Sequence, residues 1–141
     1  MRSKIPVLAV IGHKKSGKTT VIEALILELT SRGFKVAASK HISKKGFSME
    51  TKGKDTWRFS EAGANPVMAV SDEELIMKMK NGLDRFSLDK ASKLVGDNGA
   101  DILIIEGFSS LILKDKRVGK IICVRQSKEF ERFKKNAQGA I

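Results

Sequence analysis

Apolar and polar positions along this 141-residue chain follow two different periods. Ile5 to Ile11 is a short run rich in Ile and Val that stops at Gly12, the pattern of a buried strand. Val21, Ile22, Leu25, Ile26 and Leu29 then recur at helical spacing. They predict a helix over Thr19 to Ser31, ended by Arg32-Gly33. Phe34 to Ser39 reads as the next strand. Periodicity disappears from Lys40 to Asp55, a long polar loop of the kind that carries function. Thr56 to Ala62 predicts a short helix ended by Gly63, Asn65-Pro66 a turn, and Val67 to Val70 a strand. Ser71 stands where it would cap a helix reaching about Met79, with Asp72, Glu73 and Glu74 at its positive end. Ser87 to Val95 predicts another helix, Ile102 to Ile105 an apolar strand, Lys120 to Arg125 the last strand, and Lys128 to Lys135 a charged final helix. The tail, Asn136 to Ile141, is expected to fray.

Strands alternate with helices, and the strands are apolar throughout. Strands covered on both faces have this composition, so the fold class is α/β: a three-layer sandwich around a mostly parallel sheet. The length and a hydrophobic fraction of 41% suit a single domain over residues 1–141. No apolar run approaches the roughly 20 residues that span a bilayer. Met1-Arg2-Ser3-Lys4 is charged, but the apolar run behind it is short and leads into a glycine turn, so it reads as a strand and not as a signal peptide. Cys123 is the only cysteine and lies in an apolar run, which suggests a buried thiol in a reduced, cytoplasmic protein.

Chemistry concentrates where the first strand meets the first helix. Gly12-His13-Lys14-Lys15-Ser16-Gly17-Lys18-Thr19 matches G-x-x-x-x-G-K-[ST], and Thr20 follows. The motif leaves a strand and opens a helix, the context its mechanism requires. Gly12 and Gly17 allow backbone conformations that turn N–H groups inward, where they and the helix N-terminus hold phosphates. Lys18 reaches the β- and γ-phosphates, and the Thr19 hydroxyl is a ligand for Mg²⁺. His13, Lys14 and Lys15 add positive field. The fold is thereby predicted to be P-loop NTPase-like.

Asp101-Ile102-Leu103-Ile104-Ile105-Glu106-Gly107 is an apolar strand bracketed by acids. Ligands collect at the carboxyl ends of parallel strands, so Glu106 shares an edge with the glycine loop. It is the candidate to hold Mg²⁺ through water or to position a nucleophile, and Gly107 allows close backbone approach. Asp101 lies roughly 16 Å away along the strand and reads as a surface residue.

Together these segments resemble the molybdopterin-guanine dinucleotide biosynthesis protein B family. The likeness rests on Val10 to Thr20, Lys40-His41, Gly53-Lys54-Asp55-Thr56-Trp57-Arg58, Glu61-Ala62-Gly63-Ala64, and Asp101 to Phe108. It implies a GTP-binding accessory protein and weak Mg²⁺-dependent GTPase. Such a protein assists guanine nucleotide attachment to molybdopterin, forms a homodimer and works beside the pathway's nucleotidyltransferase. It also implies that Lys40, His41, Lys54, Asp55 and Arg58 line a cleft for a second anionic ligand. Read from the residues alone, the same cations suit a solvated loop with a helix start, or a pterin phosphate. Trp57 and Phe59 read as core anchors.

Departures from the family pattern matter. Ile42-Ser43-Lys44-Lys45-Gly46-Phe47 lacks the further histidines the family often carries, and Ser109 stands where it often has lysine. Gln126-Ser127-Lys128 replaces a guanine-reading motif, so GTP over ATP comes from the likeness alone. The net charge of +11 attracts anions of every kind. It raises a nucleic-acid-associated ATPase as an alternative, which the absence of a recognised binding module disfavours. A small-molecule kinase is another, with Asp55 or Glu106 as base. Arg58 or Arg125 is a candidate for stabilising transferred phosphate.

Overall fold

The structure, a computed structural model, describes residues 4–48 and 52–137. The last four residues of the tail expected to fray, 138–141, lie outside the described residues. In chain order the elements are β1 (Val7–Gly12), α1 (Lys18–Ser31), β2 (Val36–Lys40), α2 (Asp55–Glu61), β3 (Val67–Val70), β4 (Leu75–Lys78), α3 (Gly82–Arg85), α4 (Leu88–Asp97), β5 (Ile102–Glu106), α5 (Ser109–Ile112), β6 (Gly119–Cys123) and α6 (Ser127–Lys134). Their contacts gather into two compact units: Met1–His41 with Ser87–Ile141, and Ile42–Phe86.

The first unit is built on a four-stranded sheet in the order β2-β5-β1-β6. Every pairing in it is parallel, as the continuous apolar strands predict. Ala9, Val10 and Ile11 are buried in succession on β1, and Leu103, Ile104 and Ile105 on β5. Successive side chains point to opposite faces, so both faces of the sheet are covered. On one face Val10, Ile104 and Cys123 pack with Ile22, and Val21, Leu25, Ile26 and Leu29 of α1 complete the cluster. The stripe read at helical spacing is the one that reaches the core. Gly33, at φ 88°, ends α1, with its N–H donating to Thr30 and that of Phe34 to Leu29. Asp101 does more than sit at the surface. Its carboxylate accepts from the Lys35 N–H at 2.8 Å and its own N–H donates to Lys35 O at 2.7 Å, aligning β5 with β2.

The second unit pairs β3 and β4 antiparallel, Val67 opposite Lys78 and Val70 opposite Leu75. The helix predicted from Ser71 to about Met79 is therefore absent; this stretch is a hairpin turn and a strand. Ser71 Oγ accepts the N–H groups of Glu73 and Glu74, and the Ser71 N–H donates to Glu74 O. A serine accepting from the amides two and three residues on serves a helix cap and a tight turn equally well. Phe59, expected in the core, is 57% exposed on α2, whereas Trp57 is partly buried.

At the amino ends of the strands, charges from three segments join. Lys4 pairs with Asp89 at 3.0 Å, and Arg117 reaches Asp89 at 3.3 Å and Asp115 at 2.7 Å. Beneath them Lys120 is fully buried on β6, its ammonium donating to Asp115 O at 2.6 Å and Val118 O at 2.8 Å. Burial lowers its pKa. Hydrogen bonds from the Arg117 side chain and backbone hold the Asp115 carboxyl down at about 2, against an ordinary value of about 4. Between those values the unfolded chain binds more protons than the folded one, so this contribution to stability is lost as pH falls. Urea midpoints should fall as pH is lowered from about 4 to about 2. In Asp115→Asn the midpoint at neutral pH should be lower and the acid decline shallower.

Candidate functional site

The turn between β1 and α1 depends on two glycines in different ways. Gly12 pairs with Cys123 across the sheet. A Cβ added to it would lie 2.3 Å from Cys123 O and 2.6 Å from Ser16 Oγ. Gly17, at φ 90°, is the residue before α1, and nothing lies within 4 Å of where its Cβ would be. It offers no side-chain cap, so the first-turn N–H groups of α1 stay available to an anion. Lys18 curls back over the loop, its ammonium donating to Gly12 O at 3.0 Å and His13 O at 2.8 Å. An ammonium has three N–H bonds, so one remains for a ligand. Ser16 Oγ is buried and, among the described residues, has no hydrogen-bond partner. Uncapped first-turn amides, a spare ammonium donor and an unpaired hydroxyl thus lie on one short turn, chemistry suited to a polyphosphate.

Glu106 ends β5 in register with Val10 and Lys40. One carboxylate oxygen lies 3.5 Å from Thr19 Oγ1 and the other 3.6 Å from the Lys40 ammonium. A hydroxyl facing a carboxylate is a hard-oxygen donor set that fits Mg²⁺. Clusters of three or more His, Cys, Asp or Glu side chains are absent among the described residues. A cation here would draw its other ligands from phosphate oxygens and water. Gly107 follows at φ 85° and Phe108 at φ 57°. A Cβ on Gly107 would come within 3.3 Å of His41 Cβ, and its N–H donates to Val10 O. The His41 N–H donates to Glu106 O at 3.0 Å, and its ring stacks on Phe108 at 4.9 Å.

The predicted second-ligand residues fall in both units. Lys40 and His41 belong to the first. Lys54, Asp55 and Arg58 belong to the second, where Asp55 opens α2 and lies 4.0 Å from Arg58. Arg125 is engaged by Glu129, which accepts its N–H at 2.9 Å and its guanidinium at 3.1 and 3.3 Å. Those hydrogen bonds, with the charges of Arg125 and His13, lower the Glu129 pKa. Sequence reasoning missed how α6 returns to the loop: Phe133 packs on His13 at 5.2 Å. No local spacing signals that long-range contact. Cys123 is buried as expected, and burial raises its thiol pKa.

The model of one family, molybdopterin guanine dinucleotide synthesis protein B, matches residues 7–141. The chain belongs to this family. A molybdopterin-guanine dinucleotide biosynthesis adapter protein of Haemophilus influenzae is 35% identical over 126 residues, 89% of this chain and 67% of that protein. A putative adapter protein of the same description from Methanocaldococcus jannaschii is 34% identical over 119 residues, 84% of this chain but 47% of its own length. The crystal structure of Bacillus subtilis MobB superposes with a TM-score of 0.75 at 25% identity, covering 97% of this chain and 77% of that one. The overall fold of this chain is thus shared with a solved member of the family.

Gly12→Ala should cost about 1–3 kcal/mol, because backbone and Ser16 must move to admit a methyl group. Gly17→Ala should cost about 1 kcal/mol, the strain of a left-handed residue with open space around it. Urea unfolding of both variants checks this order; equal losses would mean that contact with Cys123 does not govern position 12.

Proposed function

We propose that this chain is an accessory protein of molybdenum cofactor synthesis that binds GTP with Mg²⁺ on the Gly12–Thr19 loop and assists guanine nucleotide attachment to molybdopterin. The observation carrying this reading is the loop itself: a spare Lys18 donor and an unpaired Ser16 hydroxyl beside Thr19 and Glu106. Loop amides and the α1 N-terminus hold the phosphates, with Lys18 at their outer end. His13, Lys14 and Lys15 supply positive field, and Thr20 and Gly107 border the site. Thr19 and Glu106 would hold Mg²⁺, which neutralises phosphate charge when bound. Lys40 limits where the Glu106 carboxylate can point. Arg125, held by Glu129, is not free to reach a phosphate without leaving that pair. Hydrolysis is accordingly slow, and the bound nucleotide is what a partner recognises.

The partner is the nucleotidyltransferase that joins nucleotide to molybdopterin, and the compartment is the cytoplasm. No helix among the described residues is long and apolar enough to cross a membrane. We also propose a homodimer through the β3–β4 hairpin. Met68, Val70, Leu75 and Met77 share one face by register, and all four are exposed, Val70 by 71% and Leu75 by 63%. A two-stranded ribbon with such a face is marginal by itself and gains from a cover.

Calorimetric titration with GTP, ATP and their diphosphates, with and without Mg²⁺, tests the site. GTP should bind more tightly than ATP, and Lys18→Ala should lose triphosphate binding while keeping its circular dichroism spectrum. A preference for ATP would point to the kinase or nucleic-acid alternatives. For assembly, sedimentation should report a dimer, and Val70→Lys should shift it to monomer; a monomeric native chain would remove the hairpin proposal.

A further inference from the structure

Lys40 and Glu106 end the neighbouring parallel strands β2 and β5 and stand opposite each other in register. Both belong to the first unit, as does Thr19. Oε1 of Glu106 lies 3.6 Å from the Lys40 ammonium, and Oε2 lies 3.5 Å from Thr19 Oγ1. One carboxylate is thus divided between a fixed positive charge of this chain and the hydroxyl read above as a metal ligand. The Glu106 side chain is 16% exposed, whereas that of Lys40 is 60% exposed. The acid is held at the end of a buried strand, and the lysine has room to swing its ammonium into water.

An ammonium against a carboxylate offsets the charge that a divalent cation would need from it, and two cations on one carboxylate repel. We propose that Lys40 is a built-in competitor of the divalent ion at Glu106. Lys40 weakens binding of the ion alone, so Glu106 takes the ion together with the triphosphate and not ahead of it. The negative charge of the triphosphate outweighs the lysine, whose ammonium then leaves the carboxylate for water or a phosphate oxygen. Ion and nucleotide are thereby coupled, each raising affinity for the other. This inference rests on the Thr19–Glu106 reading of the metal site and adds to it an order of binding.

The probe is Mn²⁺, which takes the same oxygen ligands and whose free-ion paramagnetic resonance signal falls as it binds. It is titrated into the full chain with no nucleotide added. Lys40→Met keeps most of the apolar stem and removes the charge; at low salt it should bind Mn²⁺ about tenfold or more tightly than the native chain. The gain should shrink at about 0.5 M salt, because the lysine is largely in solvent. Lys40→Arg should bind Mn²⁺ as the native chain does, and Glu106→Gln added to Lys40→Met should remove the gain. The proposal is overturned if Lys40→Met gains nothing, if Lys40→Arg gains as much, or if the gain survives Glu106→Gln. Calorimetry of GTP with Mg²⁺ on the native chain separates the two readings. GTP binding there, with Mn²⁺ affinity indifferent to Lys40→Met, sinks the competition and leaves the nucleotide site standing; no GTP binding removes the site itself. Weaker GTP binding in Lys40→Met at unchanged Mn²⁺ affinity would make Lys40 a direct phosphate contact instead.

Discussion

One missing side chain governs the glycine turn. Gly12 lies opposite Cys123, and its backbone passes so close to the Cys123 carbonyl and the Ser16 hydroxyl that a Cβ would stand 2.3 and 2.6 Å from them. Only because the position is bare can β1 stay paired along β6 and turn at once into the loop. That turn brings the Gly12 and His13 carbonyls under the Lys18 ammonium, which fixes the ammonium over the loop. The same parallel register places Lys40, Glu106 and Val10 side by side at the carboxyl edge. Thr19, one residue into α1, then faces Glu106 across the sheet edge. The constraint is steric, and the electrostatics follow from it.

The two ends of the sheet treat polar groups differently. At the amino ends, Lys4, Asp89, Asp115 and Arg117 satisfy one another, and the buried Lys120 ammonium is held by two carbonyls. At the carboxyl ends, Ser16 Oγ is buried without a partner among the described residues, and α1 starts with no side-chain cap. Burying a hydroxyl without a partner costs about 1–3 kcal/mol. A phosphate would supply acceptors for that hydroxyl and for the amides. Ser60 Oγ, on α2 in the second unit, is likewise buried without a partner among the described residues, but within the first unit the unpaired hydroxyl stands where a parallel sheet collects ligands.

The sequence was most readable where one force acted alone. The β1 and β5 runs are buried on both faces, so burial alone wrote their composition, and α1 carries its core stripe openly. The glycine loop was legible because Gly12 and Gly17 answer backbone demands that few other residues meet. Residues 71–79 were misread because Ser71 makes the same local hydrogen bonds in a hairpin turn as in a helix cap. The choice was made by pairing with Val67–Val70, a contact that local pattern does not contain. Phe59 was misread for a related reason: aromatic character predicts burial on average, but α2 presents that face outward. The packing of Phe133 on His13 joins residues from opposite ends of the chain, and no spacing rule reaches that far.

Net charge was the least informative number in the chain, and its placement explains why. A value of +11 fits nucleotides, nucleic acids and acidic proteins alike. At the glycine loop the useful cation is Lys18, whose orientation is set by two carbonyls; Lys14 and Lys15 are exposed and screened. At Glu106 the Lys40 charge acts on a carboxylate, not on a ligand. At the amino ends, Arg117 and Lys4 are consumed by ion pairs. Charges spread over water-exposed surface hardly sum at all. A cation in this chain is directed only where the backbone aims it, as the Gly12 and His13 carbonyls aim Lys18, and that depends on the turn at Gly12 more than on how many cations the chain holds.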